Sequence, residues 1–269
     1  MERIRPPAVA GQFYADDPRA LRAEVAGCLE QEAPKTDALA IVVPHAGLMY
    51  SGKVAGAVYS RVRLPKTALL LGPNHWRLGA AASVAVRGRW RTPLGEVAIE
   101  SELAKALLMG SKRLEEDELG HIREHSLEVQ LPFLSYLRPG IRIAPVSLAE
   151  SDLGYCGEIG HACARAIKCA EEPVLLIAST DLNHYESQAV SNRKDRMALD
   201  AILALDPEGL HRTVRQNEIS MCGVGPTVAA LYALQDLGAR QAVLVRYMTS
   251  GDVDGREDRV VGYGGVIIT

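Results

Sequence analysis

The sequence predicts an α/β fold in which one layered domain is built on a largely parallel or mixed central sheet flanked by helices. Two observations predict it. Apolar runs of strand length recur along the chain, and most lack polar alternation, which is typical of strands covered on both faces. Segments with helical spacing separate these runs, and strands that alternate with helices favour a layered sheet.

The predicted strands are LAIVV at 39–43, TALLL at 67–71, ASVAV at 82–86, IRIAPV at 141–146, PVLLIA at 173–178, AVLVRY at 242–247 and the run at 260–268. The predicted helices lie at 18–32, 52–62, 101–112, 124–137, 152–170, 188–204, 207–216 and 224–237. No low-complexity linker or repeat with a period of 20 to 50 residues interrupts this order. We therefore expect a single domain over residues 1–269.

Composition and charge exclude several classes of partner. The formal net charge of −3 lacks the basic excess that binding to nucleic acid or an anionic membrane needs. No apolar run has the length of a signal-peptide core or a membrane span, which indicates a cytoplasmic protein. The five cysteines include no C-x-x-C pair, so neither a disulfide framework nor a zinc ribbon is expected.

Three apolar runs each end, within a few residues, at a histidine. These are His45, His75 and His184. In open α/β sheets, ligands and catalytic groups gather beyond the carboxyl ends of the strands. A single histidine there is often a turn residue held by a backbone hydrogen bond, but three at equivalent positions favour a shared site.

Asp181 lies three residues before His184 in the segment STDLNH. A carboxylate beside an imidazole fixes its tautomer and raises its pKa, which is how a general base or a supporting residue is made. Asp181 is also a suitable cap for the helix expected to begin near residue 186. The two interpretations are compatible.

His125 lies near the start of the helix predicted at 124–137, with Glu124 and Glu128 close by. Glu128 is three positions after His125, so a helix would place both side chains on one face. The segment does not match the H-E-x-x-H motif of metalloproteases, because it has only one histidine. His125 is a candidate acid, base or substrate contact, with a structural role as the alternative.

Cys222 stands where a glycine-rich turn meets an amphipathic helix. The positive end of the helix dipole lowers the pKa of a thiol at this position and favours the thiolate, which binds metal or attacks substrate. The alternative is a small residue packed beneath the turn.

Several segments together resemble the Memo family, also called the AmmeMemoRadiSam system protein B group. They are PAVAGQFY at 7–14, VVPHAGLMYSG at 42–52, LLGPNHW at 70–76, TPLGEV at 92–97, EHSLEVQLPFL at 124–134, STDLNHYE at 179–186, SMCG at 220–223 and TSGDVDG at 249–255. The resemblance covers nearly the entire chain. It implies a fold similar to class III extradiol ring-cleaving dioxygenases, which are non-haem iron enzymes.

The resemblance also implies a ligand set. The metal-site residues of the family match His45, His75 and Cys222, and its aspartate and histidine match Asp181 and His184. The dioxygenases use a carboxylate where this chain has Cys222. Because thiolate is a softer ligand that favours copper(I), zinc or a differently tuned iron, ring cleavage does not simply carry over.

Three functions are consistent with these residues. The first is an oxidoreductase with one iron or copper ion, in which Asp181, His184 and His125 serve the chemistry. The second is an adaptor that binds a metal, small molecule or peptide and works with a radical-SAM enzyme and an AMMECR-type protein, as the family name implies. The third is a zinc hydrolase, since His/His/Cys with water is also a catalytic zinc set.

The small number of aromatic residues limits how the site can be lined. With two phenylalanines and two tryptophans in the chain, an extensive aromatic cavity is not expected. Tyr14, Tyr50, Trp76 and Tyr185 are the nearby aromatic candidates. Homo-oligomerisation is consistent with the sequence but is not indicated by it.

Overall fold

A computed structural model describes residues 3–269 and contains one central mixed sheet with helices on both faces. The strands are β1 (Ile4–Arg5), β2 (Ala40–Val43), β3 (Thr67–Pro73), β4 (Ala82–Val84), β5 (Arg89–Thr92), β6 (Gly95–Ile99), β7 (Glu115–Glu116), β8 (Arg142–Leu148), β9 (Val174–Ser179), β10 (His184–Glu186), β11 (Ala242–Thr249) and β12 (Val260–Ile268). This architecture confirms the predicted fold class.

The helices are α1 (Pro18–Cys28), α2 (Leu48–Ser60), α3 (Ser101–Gly110), α4 (Leu119–Ile122), α5 (Leu131–Leu137), α6 (Leu153–Cys169), α7 (Gln188–Leu203), α8 (Pro207–Gln216), α9 (Val224–Leu237) and α10 (Gly251–Asp254). A 3-10 turn at Glu128–Gln130 precedes α5. None of these helices within residues 3–269 is both long and apolar enough to cross a bilayer. All five cysteines are unpaired.

The centre of the sheet consists of parallel strands in the order β6-β8-β3-β9-β2. β12 then pairs antiparallel with β2 and carries β11 and β10. On the other side, β5 joins β6 antiparallel and β1 joins β5 parallel. The parallel core explains why the predicted strands read as continuous apolar runs, since both faces are covered.

Successive side chains of the central strands enter two separate cores. In β3, Leu69 and Leu71 pack into the core under α3, α6 and α9, whereas Ala68 and Leu70 pack into the core under α1, α2 and α5. α1 and α2 pack closely because Gly56 has no side chain, and a Cβ there would overlap the carbonyl of Cys28. The two cores hold the carboxyl ends of β2, β3 and β9 at one edge of the sheet.

Candidate metal centre

Three histidine side chains meet at this carboxyl edge. His45 follows β2 and His75 follows β3, as the sequence predicts, while His125 comes from the loop between α4 and the 3-10 turn. One ring nitrogen of each lies within 4.8 Å of those of the other two. Metal–nitrogen bonds of about 2.1 Å hold ligand nitrogens up to roughly 4 Å apart, so a shift of less than about 1 Å would bring all three onto one ion.

A hydrogen-bond chain beneath the cluster fixes the tautomer of His45. The Ser179 hydroxyl donates to the Ser126 carbonyl at 2.7 Å and accepts from the Gln130 amide at 2.9 Å. Nδ1 of His45, 3.0 Å from the same hydroxyl, is therefore the donor in their contact. Nε2 keeps its lone pair and lies 3.3 Å from Sγ of Cys222.

Glu124 orients His75. Its carboxylate accepts from the backbone N–H of His75 at 2.6 Å and from ring Nδ1 at 2.9 Å. Burial alone would raise the pKa of Glu124, but the hydrogen bond from His75 and the neighbouring imidazoles lower it to about 2. An ionised carboxylate on Nδ1–H leaves Nε2 of His75 as the ligand atom, an arrangement common at metal-binding histidines.

The helix predicted at 124–137 is wrong in its first part. The backbone N–H groups of His125 and Ser126 donate to Oε1 of Glu124 at 3.0 and 2.9 Å. A side chain that captures local amides in this way competes with helix formation. The chain makes the 3-10 turn at Glu128–Gln130 instead, and α5 begins only after it.

The predicted pairing of Glu128 with His125 on one helix face is wrong, because residues 124–127 lie outside any helix and the 3-10 turn begins only at Glu128. Its fully buried carboxylate lies 2.6 Å from the Arg5 guanidinium and accepts from the Tyr14 hydroxyl at 2.7 Å. It also accepts from two backbone amides of the N-terminal segment. Glu128 therefore attaches the N-terminal segment beside the site, and its hydrogen-bond partners do not include His125.

The two more deeply buried histidines of the cluster, His45 and His125, are uncharged near neutral pH. Burial, with the proximity of His75, lowers the pKa of His45 to about 3. Burial, with the proximity of His45, lowers the pKa of His125 to about 4. Neutral imidazole is the form that binds metal, so both rings are ready to act as ligands near neutral pH.

Cys222 lies immediately before Gly223, the N-cap of α9, as predicted. The predicted lowering of its pKa is wrong. Burial, with the nearby Asp181 carboxylate, raises the pKa of the Cys222 thiol. Sγ is 3.6 Å from the Asp181 carbonyl, to which the thiol donates, so the dipole at the start of α9 does not outweigh the loss of solvent.

Asp181 and His184 are held by different partners from those predicted. The Asp181 carboxylate accepts from the backbone N–H of His45 at 2.8 Å, and α7 has Ser187 as its N-cap. Burial raises the pKa of Asp181. Nδ1 of His184 donates to the Ser220 carbonyl at 2.8 Å, so this carbonyl, and not Asp181, fixes the tautomer and leaves Nε2 as an acceptor.

A cavity of about 660 Å³ opens over the cluster, and we call it the histidine cavity. All six candidate site residues line it, namely His45, His75, His125, Asp181, His184 and Cys222. Tyr50 and Tyr185 line it as well, whereas Tyr14 is buried beneath on Glu128 and Trp76 lines a neighbouring cavity. The site thus combines imidazole nitrogens, the buried Asp181 carboxyl and an open space.

Comparisons with known proteins agree with the resemblance indicated by the sequence motifs. The profile of a family described as Memo-like protein matches residues 5–267. The chain belongs to the Memo-like protein family. A MEMO1 family protein of Methanopyrus kandleri is 41% identical over 277 residues, with 98% of each chain covered. One of Methanothermobacter thermautotrophicus is 40% identical over 272 residues, covering 97% of this chain and 98% of the relative.

A solved structure extends this agreement to the fold. The crystal structure of an uncharacterized protein of Escherichia coli K12 matches with a TM-score of 0.53 over 84% of this chain and 98% of that chain. The two sequences are 13% identical, so the likeness concerns the fold alone. Membership of the Memo family therefore rests on the sequence matches, and the candidate metal site rests on the geometry of the histidines.

Four supporting residues escaped the sequence analysis. The sequence places Glu124 beside His125 but indicates no role for it, and it indicates no role at the histidines for Ser179, Gln130 or Ser220. All four act on histidines that are distant in sequence; His75 and Glu124, for example, are 49 residues apart. The adjacency of Glu124 to His125 was the one local signal, since carboxylates commonly support ligating histidines.

Proposed function

We propose that this Memo-family protein is an oxidoreductase that uses one iron or copper ion at the histidine cluster. One observation carries the proposal. His45 and His75 each have Nδ1 engaged by a fixed acceptor, Ser179 and Glu124 respectively, so that both Nε2 atoms remain as ligands beside His125. Such preorganisation is what a metal site needs, and a cluster built only for packing does not need it.

The donor set fits a borderline metal. His45 and His75 supply two imidazole nitrogens, and the third ligand is either His125, which completes the cluster, or Cys222, which lies 3.3 Å from His45 Nε2 and matches the family ligand. Imidazole suits iron, copper and zinc, and a thiolate shifts the preference toward copper(I) or zinc. Bound iron or copper would supply one-electron chemistry with dioxygen.

The protein itself supplies groups for proton transfer and an apolar surface for the substrate. Nε2 of His184 is an acceptor in the wall of the histidine cavity, and we infer that it takes a proton from the substrate. Asp181, held by the backbone of His45, is a second proton-carrying group, because burial favours its neutral form near the cluster. Phe13, Met49 and Tyr50 add apolar and aromatic surface to the cavity lining, against which the apolar part of a substrate can pack.

A zinc hydrolase is the second candidate, and one observation favours it. Three histidines with a position left for water form a common catalytic zinc set, and the raised pKa of Cys222 weakens its claim to be the third ligand. In that case His184 would take the proton of the attacking water. The open histidine cavity favours either enzyme over an adaptor, and a partnership with a radical-SAM enzyme and an AMMECR-type protein stays a prediction from the family name.

The test is an anaerobic titration with Fe(II), Cu(I) and Zn(II), followed by measurement of oxygen consumption. We expect one ion per chain in the wild type and loss of tight binding in His45→Ala and His75→Ala. Comparison of His125→Ala with Cys222→Ser identifies the third ligand, because a bound thiolate gives a charge-transfer absorption that only Cys222→Ser removes. Iron or copper with oxygen consumption supports the oxidoreductase, and zinc without it supports the hydrolase.

Two controls accompany the titration. His161→Ala changes an exposed histidine paired with Asp236 on the helical surface and should leave metal binding unchanged. His184→Ala should keep the metal and lose turnover. A wild-type protein that binds none of the three ions, or a His75→Ala variant that binds them as the wild type does, would contradict the proposal.

A further inference from the structure

A second cavity of about 620 Å³ adjoins the histidine cavity, and we call it the annex. The two cavities share four lining residues, Gln12, Phe13, His75 and His125. His75 and His125 thus form part of the wall between them. A ligand that occupies the annex can place one end against the histidine cluster.

The annex is apolar along its walls and cationic at its rim. Its apolar lining includes Val9, Phe13, Trp76 and Ile122. Trp76 is 54% exposed and Ile122 is 48% exposed, although large apolar side chains usually avoid water. Such side chains around a concavity are typical of a ligand-binding surface.

Arg123 supplies the charge at the rim. Its guanidinium stacks 5.6 Å from the centroid of the Trp76 ring. Within residues 3–269, no carboxylate lies at ion-pairing distance from it, and the described lining of the annex contains neither aspartate nor glutamate. Arg123 therefore has charge and hydrogen-bond donors to offer an anion, and the ring beside it presents a flat apolar face.

The histidine cavity has a second aromatic–arginine contact of the same kind. The segments Asn74-His75-Trp76 and Asn183-His184-Tyr185 each place an exposed aromatic ring after a cavity histidine. Tyr185 is 65% exposed, and the guanidinium of Arg259 lies 5.5 Å from its ring centroid. Two aromatic–arginine stacks thus flank the histidines.

Backbone geometry supports a positioning role for Tyr185. This residue has φ of 62°, at an irregularity where β10 and β12 shift register. Bulky residues rarely adopt this conformation, and bulges beside functional sites redirect side chains. The backbone of Tyr185 is therefore held in an unfavourable conformation, and in this conformation the residue lines the histidine cavity.

We propose that the annex binds the tail of an elongated organic anion, with an apolar or flat group against Trp76 and Ile122 and a terminal carboxylate on Arg123. The other end of the molecule then reaches His75 and His125. This inference rests on the proposed function, because it names the substrate class of the same site. Arg123 and Trp76 become residues that determine specificity, since they select charge and shape without touching the reacting atoms.

The test uses three probes that share one apolar group, namely 4-phenylbutyrate, 4-phenylbutan-1-ol and 4-phenylbutylamine. Their affinities are measured by calorimetry and by protein NMR on the metal-free chain. We expect the carboxylate to bind the wild type about five- to tenfold more tightly than the amine, as a partly exposed ion pair allows. Arg123→Gln should remove that preference and leave the affinity of the alcohol unchanged.

Three further variants separate charge from packing. Arg123→Lys should keep part of the preference, and Trp76→Ala should weaken all three probes. Arg77→Gln is the matched control, because Arg77 is an exposed neighbour paired with Glu150 and does not line the annex. Equal affinity for carboxylate and amine, an Arg123→Gln variant that binds as the wild type does, or no saturable binding at millimolar concentration would overturn the inference.

The design also separates this inference from the proposed function. The metal titration is repeated on Arg123→Gln, which should bind metal as the wild type does. If metal binds and the probes show no charge preference, the annex inference fails alone. If the carboxylate binds through Arg123 and no metal binds, the proposed function fails and the annex stands as an anion site.

Discussion

The carboxylate of Glu124 connects two of the three histidines. It accepts from the ring and backbone of His75 and from the backbone of His125. With 2% of its side chain exposed, no water can replace it easily. Removal of its charge should therefore loosen both ligands at once.

We predict that Glu124→Gln lowers metal affinity by about 10- to 100-fold, the usual effect of losing a carboxylate that supports a ligating histidine. Glutamine keeps an acceptor oxygen, so the fold should survive, but it holds the Nδ1–H tautomer less firmly. Competition with a chelator measures the affinity. Asp117→Asn is the control, because Asp117 also accepts several loop hydrogen bonds without touching a histidine. Equal affinities for Glu124→Gln and wild type would contradict this role.

The histidines and their supporting residues differ in how far the sequence could predict them. His45 and His75 follow buried strands, so connectivity alone places them at the carboxyl edge of the sheet. The roles of Glu124, Ser179 and Gln130 depend on segments that meet only in the folded chain. The pKa of Cys222 required knowledge of burial, which reverses the effect expected from the helix dipole.

At the scale of elements, a buried ion pair attaches the N-terminal segment to the rest of the fold. The side chains of Arg5 and Glu128 are 4% and 0% exposed, and the guanidinium also donates to the carbonyls of His121 and Glu124. The attached segment continues to Gln12 and Phe13, which line both cavities. The pair thus holds one wall of the site.

We predict that Arg5→Met lowers the free energy of unfolding by about 3–5 kcal/mol, because the Glu128 carboxylate is left buried without its counter-charge. Arg5→Met combined with Glu128→Gln should recover part of this loss, since glutamine can still accept from the Tyr14 hydroxyl and is neutral. Urea unfolding measures both values. Arg63→Met, which breaks an exposed pair with Asp37, serves as the control and should change stability by about 1 kcal/mol or less. A single variant as stable as this control would contradict the role of the buried pair.

Helical periodicity predicted the long helices of the second half of the chain within a residue or two. The segments 152–170, 188–204 and 224–237 correspond to α6, α7 and α9. The β5–β6 hairpin escaped prediction because its strands, RWRT and GEVAI, are short and partly polar. They are stabilised by pairing with β1 and β8, which local sequence does not encode.

At the scale of the whole molecule, buried neutral histidines link folding to pH. Burial lowers the pKa values of His45, His121 and His125 to about 3, 4 and 4. His121 is fully buried beside Trp90, and neither ring nitrogen has a hydrogen-bond partner among the described residues. In an unfolded chain these imidazoles titrate near pH 6.5.

The sign of the effect follows from these values. Between about pH 4 and 6.5 the unfolded chain binds protons that the folded chain does not, so acidification stabilises the unfolded state. Each such histidine should contribute a slope of up to about 1.4 kcal/mol per pH unit to the free energy of unfolding. The contribution of these histidines to the free energy of unfolding is therefore fully present above about pH 6.5. It decreases as the pH falls toward their pKa values in the folded state.

We predict that His121→Phe reduces this slope by the share of one histidine in metal-free protein, since phenylalanine keeps a buried ring that binds no proton. Urea unfolding at intervals from pH 4.5 to 7.5 measures the slope. Ile159→Val is the control, because it trims a fully buried side chain and should lower stability equally at every pH. If His121→Phe keeps the wild-type slope, His121 takes up its proton in the folded state, and the acid sensitivity does not come from this residue.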